Sequence, residues 1–462
     1  MTSQFVRGQY QFDERYIISG TLRRDGSSRF GRNRRWGYFP SGALAWVVTG
    51  EKFMQSEKMK KYLPFLKLRA SFGKTGGQDI GDFDHLSTFS GATYNGNPSI
   101  IPIGLGNRNL QWEETELFDL GIDFSLFNDR VSGTLGRYRK NSREALFNTS
   151  IATSSSFDEV TFNVGSLENK GYEISINYDI IRTKDHRLTF NFNWATNDTR
   201  VTKINGINDE LFFPDFSEPF QRLIEGGPAD EWWGFQTAGR YFASGEDVAS
   251  FRPRNEDGTI GEIRDGRENA GDLIYIDQNG DGLITDEDRV NLGSAAPDGF
   301  GGFGLRYSYK GFSVNATFVY AYGHERLWED AFRTGAGVGF QNQSNSIVGQ
   351  SASNGGTLFP RITLFSDVNS LFSDAYLFDA SYLRLNQLSF AYSLPKEVFR
   401  NSPIAGVDIT LQGTNLFTIT DYPGIDPQGN FGNTQLGSGL GVDVSTFPQA
   451  QGYNLGVRIS LQ

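Results

Sequence analysis

The densest group of chemically capable side chains is the segment Asp277-Gln278-Asn279-Gly280-Asp281-Gly282-Leu283-Ile284-Thr285-Asp286-Glu287-Asp288. Side-chain oxygens at the first, third and fifth places, glycine at the sixth, a backbone carbonyl at the seventh, an apolar residue at the eighth and an acid at the twelfth follow an EF-hand-type loop. Clustered carboxylates repel one another until a hard cation with several oxygen ligands neutralises them. The spacing predicts Ca2+ held by Asp277, Asn279, Asp281, the Leu283 carbonyl and Asp288, with Thr285 direct or through water. Aspartate at the twelfth place has a shorter reach than glutamate, and no helix pair is expected around the loop. The segment therefore reads as a structural clip inside a long loop, with a metal-free turn of Asx and Gly residues as the plain alternative.

Other candidates are weaker. Trp232, Trp233 and Trp328 fall in long loops, where an indole face could stack on a sugar ring or pack into a loop core. Arg23, Arg24, Arg29, Arg32, Arg34 and Arg35 form a basic cluster suited to loop acids or anionic lipid headgroups. Gly299-Phe-Gly301-Gly-Phe-Gly304 fits a dinucleotide fingerprint by letter only and reads as a glycine-rich strand entrance. The chain has no Cys and only three His, which removes thiolate chemistry and leaves His85, His186 and His324 too far apart for a motif. Carboxylates are too numerous to nominate a glycosidase pair.

These residues must be positioned by elements, and the composition points to strands. The chain has 462 residues, 14% of them aromatic, with 55 Gly and only 3 Met. The balance of 43 Lys and Arg against 54 Asp and Glu, a net charge of −11, excludes a nucleic-acid binder relying on basic patches. Segments of about ten residues alternate with period two, putting one set of side chains on each face of a strand. Tyr172, Ile174, Ile176, Tyr178 and Ile180 share one face; so do Leu188, Phe190, Phe192 and Trp194, and Phe312, Val314, Ala316, Phe318 and Tyr320. Similar runs bring the expected number to about thirteen strands of membrane-barrel length.

The opposite face distinguishes a membrane wall from a soluble sheet. It carries Thr189, Asn191, Asn193, Ser313, Asn315, Thr317, Thr410, Gln412 and Thr414, small neutral groups that suit a hydrated lumen better than the Lys and Glu of a solvent-facing sheet. Trp36, Tyr38, Phe39, Trp112 and Phe127 bracket strand ends and suit interfacial girdles. Links at 12–14, 127–129, 182–186 and 310 are short, while 25–37, 75–112, 141–170, 199–299, 323–381 and 417–451 are long; 50–64 and 395–405 are of medium length. Short periplasmic turns alternating with long outer loops are the barrel pattern. No apolar run of about 18 residues occurs, so no helix is expected to cross a membrane, and Met1–Phe12 has none of the regions of a signal peptide. With the short links periplasmic, an odd strand number leads to the expectation that the chain is truncated before residue 1.

Several collinear blocks then carry a family likeness: LRRDGSSRFGRNRRWGYFPSGALAW, NRNLQWEETELFDLGIDFSLFNDRVSGTLGRYRKN, GDLIYIDQNGDGLITDEDRVNLGSAAP, YLRLNQLSFAYSLPK and GTNLFTITDYPGIDP. Together they resemble the C-terminal barrel portion of SusC/RagA-like TonB-dependent outer-membrane transporters over nearly the whole chain. The resemblance implies an all-β fold: an antiparallel transmembrane β-barrel, here a partial barrel of about 13 strands from a parent of about 22, with long extracellular loops. Residues 1–462 would be one C-terminal barrel unit, with plug domain, TonB box and signal peptide absent. It further implies import of oligosaccharides or peptides with a SusD-like lipoprotein, coupling to the TonB complex through the N-terminal region, contact with membrane lipid, no enzymatic chemistry, and the outer membrane of a Gram-negative, Bacteroidota-like bacterium. A barrel fragment would not be competent alone. Ser460-Leu461-Gln462 departs from the family's usual terminal aromatic. The competing reading is a secreted or surface calcium-dependent carbohydrate-binding β-protein.

Overall fold

The computed structural model describes residues 1–150, 157, 159–204, 210–215, 218–242, 244, 246, 248, 270–335, 360, 369–400, 402–429, 441–444 and 446–461. Gln462 lies outside them. One sheet dominates, in which thirteen strands pair in chain order as an antiparallel meander. They are β1 (Thr2–Phe12), β2 (Tyr16–Gly26), β3 (Trp36–Val47), β4 (Phe65–Gly77), β5 (Glu113–Leu126), β6 (Val131–Ser150), β7 (Glu159–Arg182), β8 (His186–Ala195), β9 (Gly299–Tyr309), β10 (Phe312–Tyr322), β11 (Tyr382–Ser393), β12 (Ile404–Thr420) and β13 (Gly452–Leu461). A fourteenth strand, Asp198–Ile204, pairs with the upper part of β7. With an odd number in the meander, β1 and β13 run in the same direction and cannot pair antiparallel with each other.

The alternation falls on the two faces as the sequence dictates. Ladder partners Ile176, Phe192, Phe303 and Phe318 lie in one row across β7 to β10, and Phe303 stacks on Phe318 with ring centroids 4.8 Å apart. Large apolar side chains on this face, among them Ile18, Leu44, Leu120, Leu305, Leu411 and Leu455, are exposed. An aqueous sheet does not leave such a band uncovered over thirteen strands, whereas lipid solvates it. Among the described residues no second sheet packs over Ile174 and Phe190; both residues lie on the outer face of a single sheet. At Gly302 a Cβ would sit 2.7 Å from the Phe318 carbonyl oxygen, so the glycine-rich entrance to β9 reflects close strand approach.

Four expectations need correction. Residues 141–150 and 159–170, expected as part of a loop over 141–170, are strand, because β6 and β7 continue their ladder out to Ser150 and Glu159; at that height both faces leave the lipid and the apolar period stops, although pairing persists. The 75–112 link contains a separate hairpin, Thr88–Tyr94 with Asn97–Gly104, turned by Asn95 and Gly96 at φ 48° and 79°, the two positive-φ positions of a tight hairpin. Phe39 and Trp112 are no girdle residues: they are buried with Phe30 and Leu110 in a small cluster, since Phe39 sits on the luminal side of β3. Trp36, Tyr38 and Phe127 are exposed as expected. The luminal wall is also less neutral than its Asn and Thr suggest, for near the short turns Lys67 pairs with Asp123 at 3.2 Å, Arg69 with Asp119 and Asp123, and Arg187 with Asp179 at 3.0 Å.

The face assignment makes a stability prediction. Leu305→Arg puts a cation in the middle of the apolar band and is expected to destabilise the lipid-reconstituted protein by about 2–4 kcal/mol. Asn315→Arg, on the luminal face of the next strand, is expected to cost far less in the same denaturant titration.

Candidate functional site

At the end opposite the short turns, the links fold into a body with its own core. Phe220, Trp232, Phe235, Leu273, Tyr275, Ile284, Leu327, Leu371, Phe372, Tyr376 and Val442 are all buried there. Short strands frame it: Glu231–Phe235 pairs with Arg289–Ser294, and Glu325–Trp328 pairs with Leu377–Asp379 and with Val442–Asp443. Trp232 is fully buried and its Nε1 donates to the Glu325 carbonyl at 3.1 Å. No face of this indole is open to a sugar, and its packing corrects the stacking role considered from sequence. Trp233 lies under the Arg222 guanidinium, 3.3 Å from its ring centroid, and Trp328 meets Phe378 edge-on at 6.0 Å. The three indoles thus serve separate packing contacts and form no shared platform.

The loop 277–288 leaves the buried strand Leu273–Tyr275 and enters the strand Arg289–Ser294. Its carboxylates fold the backbone around themselves. Asp277 accepts from the N–H groups of Gly280 and Gly282, both at 2.7 Å; Asn279 Oδ1 accepts from Asp281 N–H and Asp281 Oδ1 from Leu283 N–H. Gly280 and Gly282 take φ of 78° and 85°, the left-handed backbone that glycine adopts freely. Ile284, at the eighth place, is buried in the core and anchors the loop. Asp288 is fully buried and accepts from Gln278 and Thr285 N–H, closing a capping box on the short 3-10 turn 286–288.

The donor set fits a cation only in mixed form. Among the described residues no group of three or more His, Asp or Glu side chains is arranged to hold a metal ion by itself. Asn279 Nδ2 donates at 3.3 Å to both Asp281 and Glu287, so one polar donor lies between two acids. Glu287 was not among the sequence candidates; its approach depends on the turn at 286–288.

A buried ion pair ties the wall to the link that follows β12. Arg384, on the luminal face of β11, donates through Nη2 to Asp426 at 2.6 Å and through Nε to Thr418 at 2.8 Å. Asp426 also accepts from the N–H groups of Gln428 and Gln449, at 2.9 and 3.1 Å. Burial alone would raise the Asp426 carboxyl, but these hydrogen bonds hold it below the usual range. His324 is buried with no partner at Nδ1 among the described residues. Burial, and then the charge of Arg326, lowers its pKa to about 4. His186 sits elsewhere, at the short-turn end, with Nδ1 2.8 Å from the Tyr307 hydroxyl, so the fold does not gather the histidines.

The family described as TonB dependent receptor-like, beta-barrel, matches residues 1–259, more than half of the chain. The chain belongs to that family. TonB-dependent receptor P3 of Formosa agariphila is 30% identical over 99% of this chain and 45% of its own length. TonB-dependent receptor SusC of Bacteroides thetaiotaomicron is 28% identical over 99% of this chain and 43% of its own. Among solved structures, the RagAB peptide importer in its closed-closed state superposes with a TM-score of 0.79 at 24% identity, covering 99% of this chain and 47% of that one. This chain thus spans about half the length of the curated relatives it matches. As a TonB-dependent receptor barrel, it is an outer-membrane protein.

The buried imidazole, in the link between β10 and the outer-body strand Glu325–Trp328, makes that body pH-sensitive in a defined direction. The unfolded chain binds a proton at His324 near pH 6.5, while the folded one resists it down to about 4. Stability from this residue is therefore complete above pH 6.5 and lost as pH falls towards 4, by up to about 3 kcal/mol. Melting temperatures of wild type and His324→Gln between pH 7.5 and 4 are expected to converge on the acid side.

Proposed function

We propose that this chain forms barrel wall and outer-face structure for TonB-dependent import of oligosaccharides or peptides across the outer membrane, acting with a SusD-like lipoprotein. The observation that carries the reading is the thirteen-strand wall with its uncovered apolar band, in a chain whose relatives are named as TonB-dependent receptors. The body at the long-loop end stands where such a lipoprotein would seat. Coupling to the TonB complex would run through N-terminal elements of a complete receptor. The chain makes and breaks no bonds in this reading; it binds, encloses and releases.

The tagged protein, expressed together with a SusD-like lipoprotein of the same organism, is expected to bring down that lipoprotein from outer-membrane extracts. Recovery of the tagged protein from the soluble extracellular fraction, without membrane association, would contradict the reading and favour a secreted sugar-binding protein.

The loop 277–288 enters this proposal as a calcium clip. Asp277, Asn279, Asp281, the Leu283 carbonyl, Asp288 and Thr285 would supply hard oxygen donors, and the ion would stiffen the segment that joins Leu273–Tyr275 to Arg289–Ser294. Ile284 packing and the inward N–H groups already shape the turn. Calorimetry is expected to detect calcium binding at or below millimolar concentration, with saturating ion at about a hundred times Kd adding about 2.7 kcal/mol of stability. Asp281→Ala should abolish both effects while leaving the strand content unchanged. An intact protein indifferent to millimolar calcium would remove the clip.

A further inference from the structure

The β11–β12 ladder runs without fault from Ser393 and Asp408 to Gln387 and Thr414, then resumes at Leu385 and Phe417. Asn386 is left over on one strand, Asn415 and Leu416 on the other. Asn415 takes φ of 52°, a left-handed backbone that asparagine tolerates better than most residues. Bulges of this kind re-aim side chains beside functional sites. Here both displaced asparagines line one cavity of about 480 Å³, which opens on the lumen near the long-loop end and also takes in Asn193, Gln428, Gln449 and Tyr382. That volume lies within the range of small-molecule sites, ~300–1,000 Å³.

The lining has a consistent chemistry. Among the described residues it holds five carboxamides and no charged side chain. Phe300 also borders the cavity and is 42% exposed, an apolar ring face at its edge. Hydrogen bonds fix the backbone that carries two of the amides and the side chains of Gln428 and Asn415. Asp426, clamped by Arg384, binds the backbone N–H groups of both Gln428 and Gln449, and Gln428 Nε2 donates to the Tyr382 hydroxyl at 2.6 Å. Asn415 Nδ2 is engaged by the Ala450 carbonyl, leaving its oxygen. The side chains of Asn193, Asn386 and Gln449 make no hydrogen bond among the described residues.

We propose that this cavity is a subsite for one neutral sugar unit of the imported solute, a reading that rests on the import function above. Each carboxamide offers a donor and an acceptor together, the pairing that a row of hydroxyl groups requires, and Phe300 supplies a face for the C–H side of a pyranose ring. A peptide segment with charged side chains or termini would find no counter-charge in the lining. The buried Arg384–Asp426 pair is a positioning element, spent on fixing the two glutamines.

Saturation-transfer NMR on the full chain in detergent tests this directly, with maltotriose, cellotriose, laminaritriose and, as a peptide probe, tetra-alanine, each at about 10 mM, where a millimolar site is mostly filled. At least one trisaccharide is expected to bind, with affinity falling roughly tenfold or more in the double variant Asn386→Ala, Gln449→Ala, whose side chains are exposed and whose circular dichroism should be unchanged. Phe300→Ala, on another strand, should produce a comparable loss. Binding of tetra-alanine at these residues without any sugar overturns the subsite but leaves import intact. Absence of trisaccharide binding, or binding that both variants retain, overturns the subsite alone; import falls only if the lipoprotein co-purification fails.

Discussion

Every feature of this wall depends on one constraint: within lipid each backbone N–H and C=O needs a partner inside the protein, because no water is there to take it. A meander of adjacent strands meets that need by hydrogen bonding each strand to its neighbours. Once the ladder is fixed, period two fixes everything facing outward or inward. A slip of one residue would send Phe190, Phe192 and Trp194 into the lumen and Asn191 and Asn193 into lipid. Burial of an apolar core therefore contributes little to the wall itself; the apolar side chains are solvated by the membrane, and the packed cores lie where the links leave it.

Where the chain rises past the membrane the physics changes. The β6–β7 ladder persists well beyond the apolar band, and links from three parts of the chain bury Trp232, Phe372, Tyr376 and Val442 together. That body is stabilised as an ordinary soluble domain is, by removing apolar surface from water. The Arg384–Asp426 pair joins the two regimes, since Arg384 belongs to a wall strand and Asp426 to the link that follows β12. Removing either partner would strand a buried charge, a loss of about 3–5 kcal/mol, so the pair ties the outer segments to a fixed height on the wall.

The wall was legible in the sequence because its rule is local. Alternation in 172–178, 312–320 and 453–461 names the lipid-facing residues one by one, and the ladder registers agree with it; past Tyr178 a bulge opposite Leu188 and Thr189 skips Ile180 and pairs Ile181 with Leu188. The outer body was not legible, because its partners are distant: Trp232 meets the Glu325 carbonyl across 93 positions, and nothing in the neighbourhood of Trp232 distinguishes a buried indole from a sugar platform. The luminal cavity falls between these cases. Leu383, Leu385, Leu388 and Phe390 change phase at Asn386, a local sign of a bulge, but which other amides meet it depends on the fold. The loop 277–288 shows its donor order plainly in sequence, while the approach of Glu287 to Asn279 emerges only from the turn.

The central claim, that one face of a single meander meets lipid and the other a hydrated lumen, is open to a direct measurement because the chain has no cysteine. Single cysteines placed at successive positions from Phe312 to Tyr320 in β10, in outer membranes, can be treated with a charged, water-soluble thiol reagent. Strong labelling at 313, 315, 317 and 319 with protection at 314, 316 and 318 is the result expected of a lipid-facing wall. Uniform labelling, or protection that extends to 315 and 317, would contradict it.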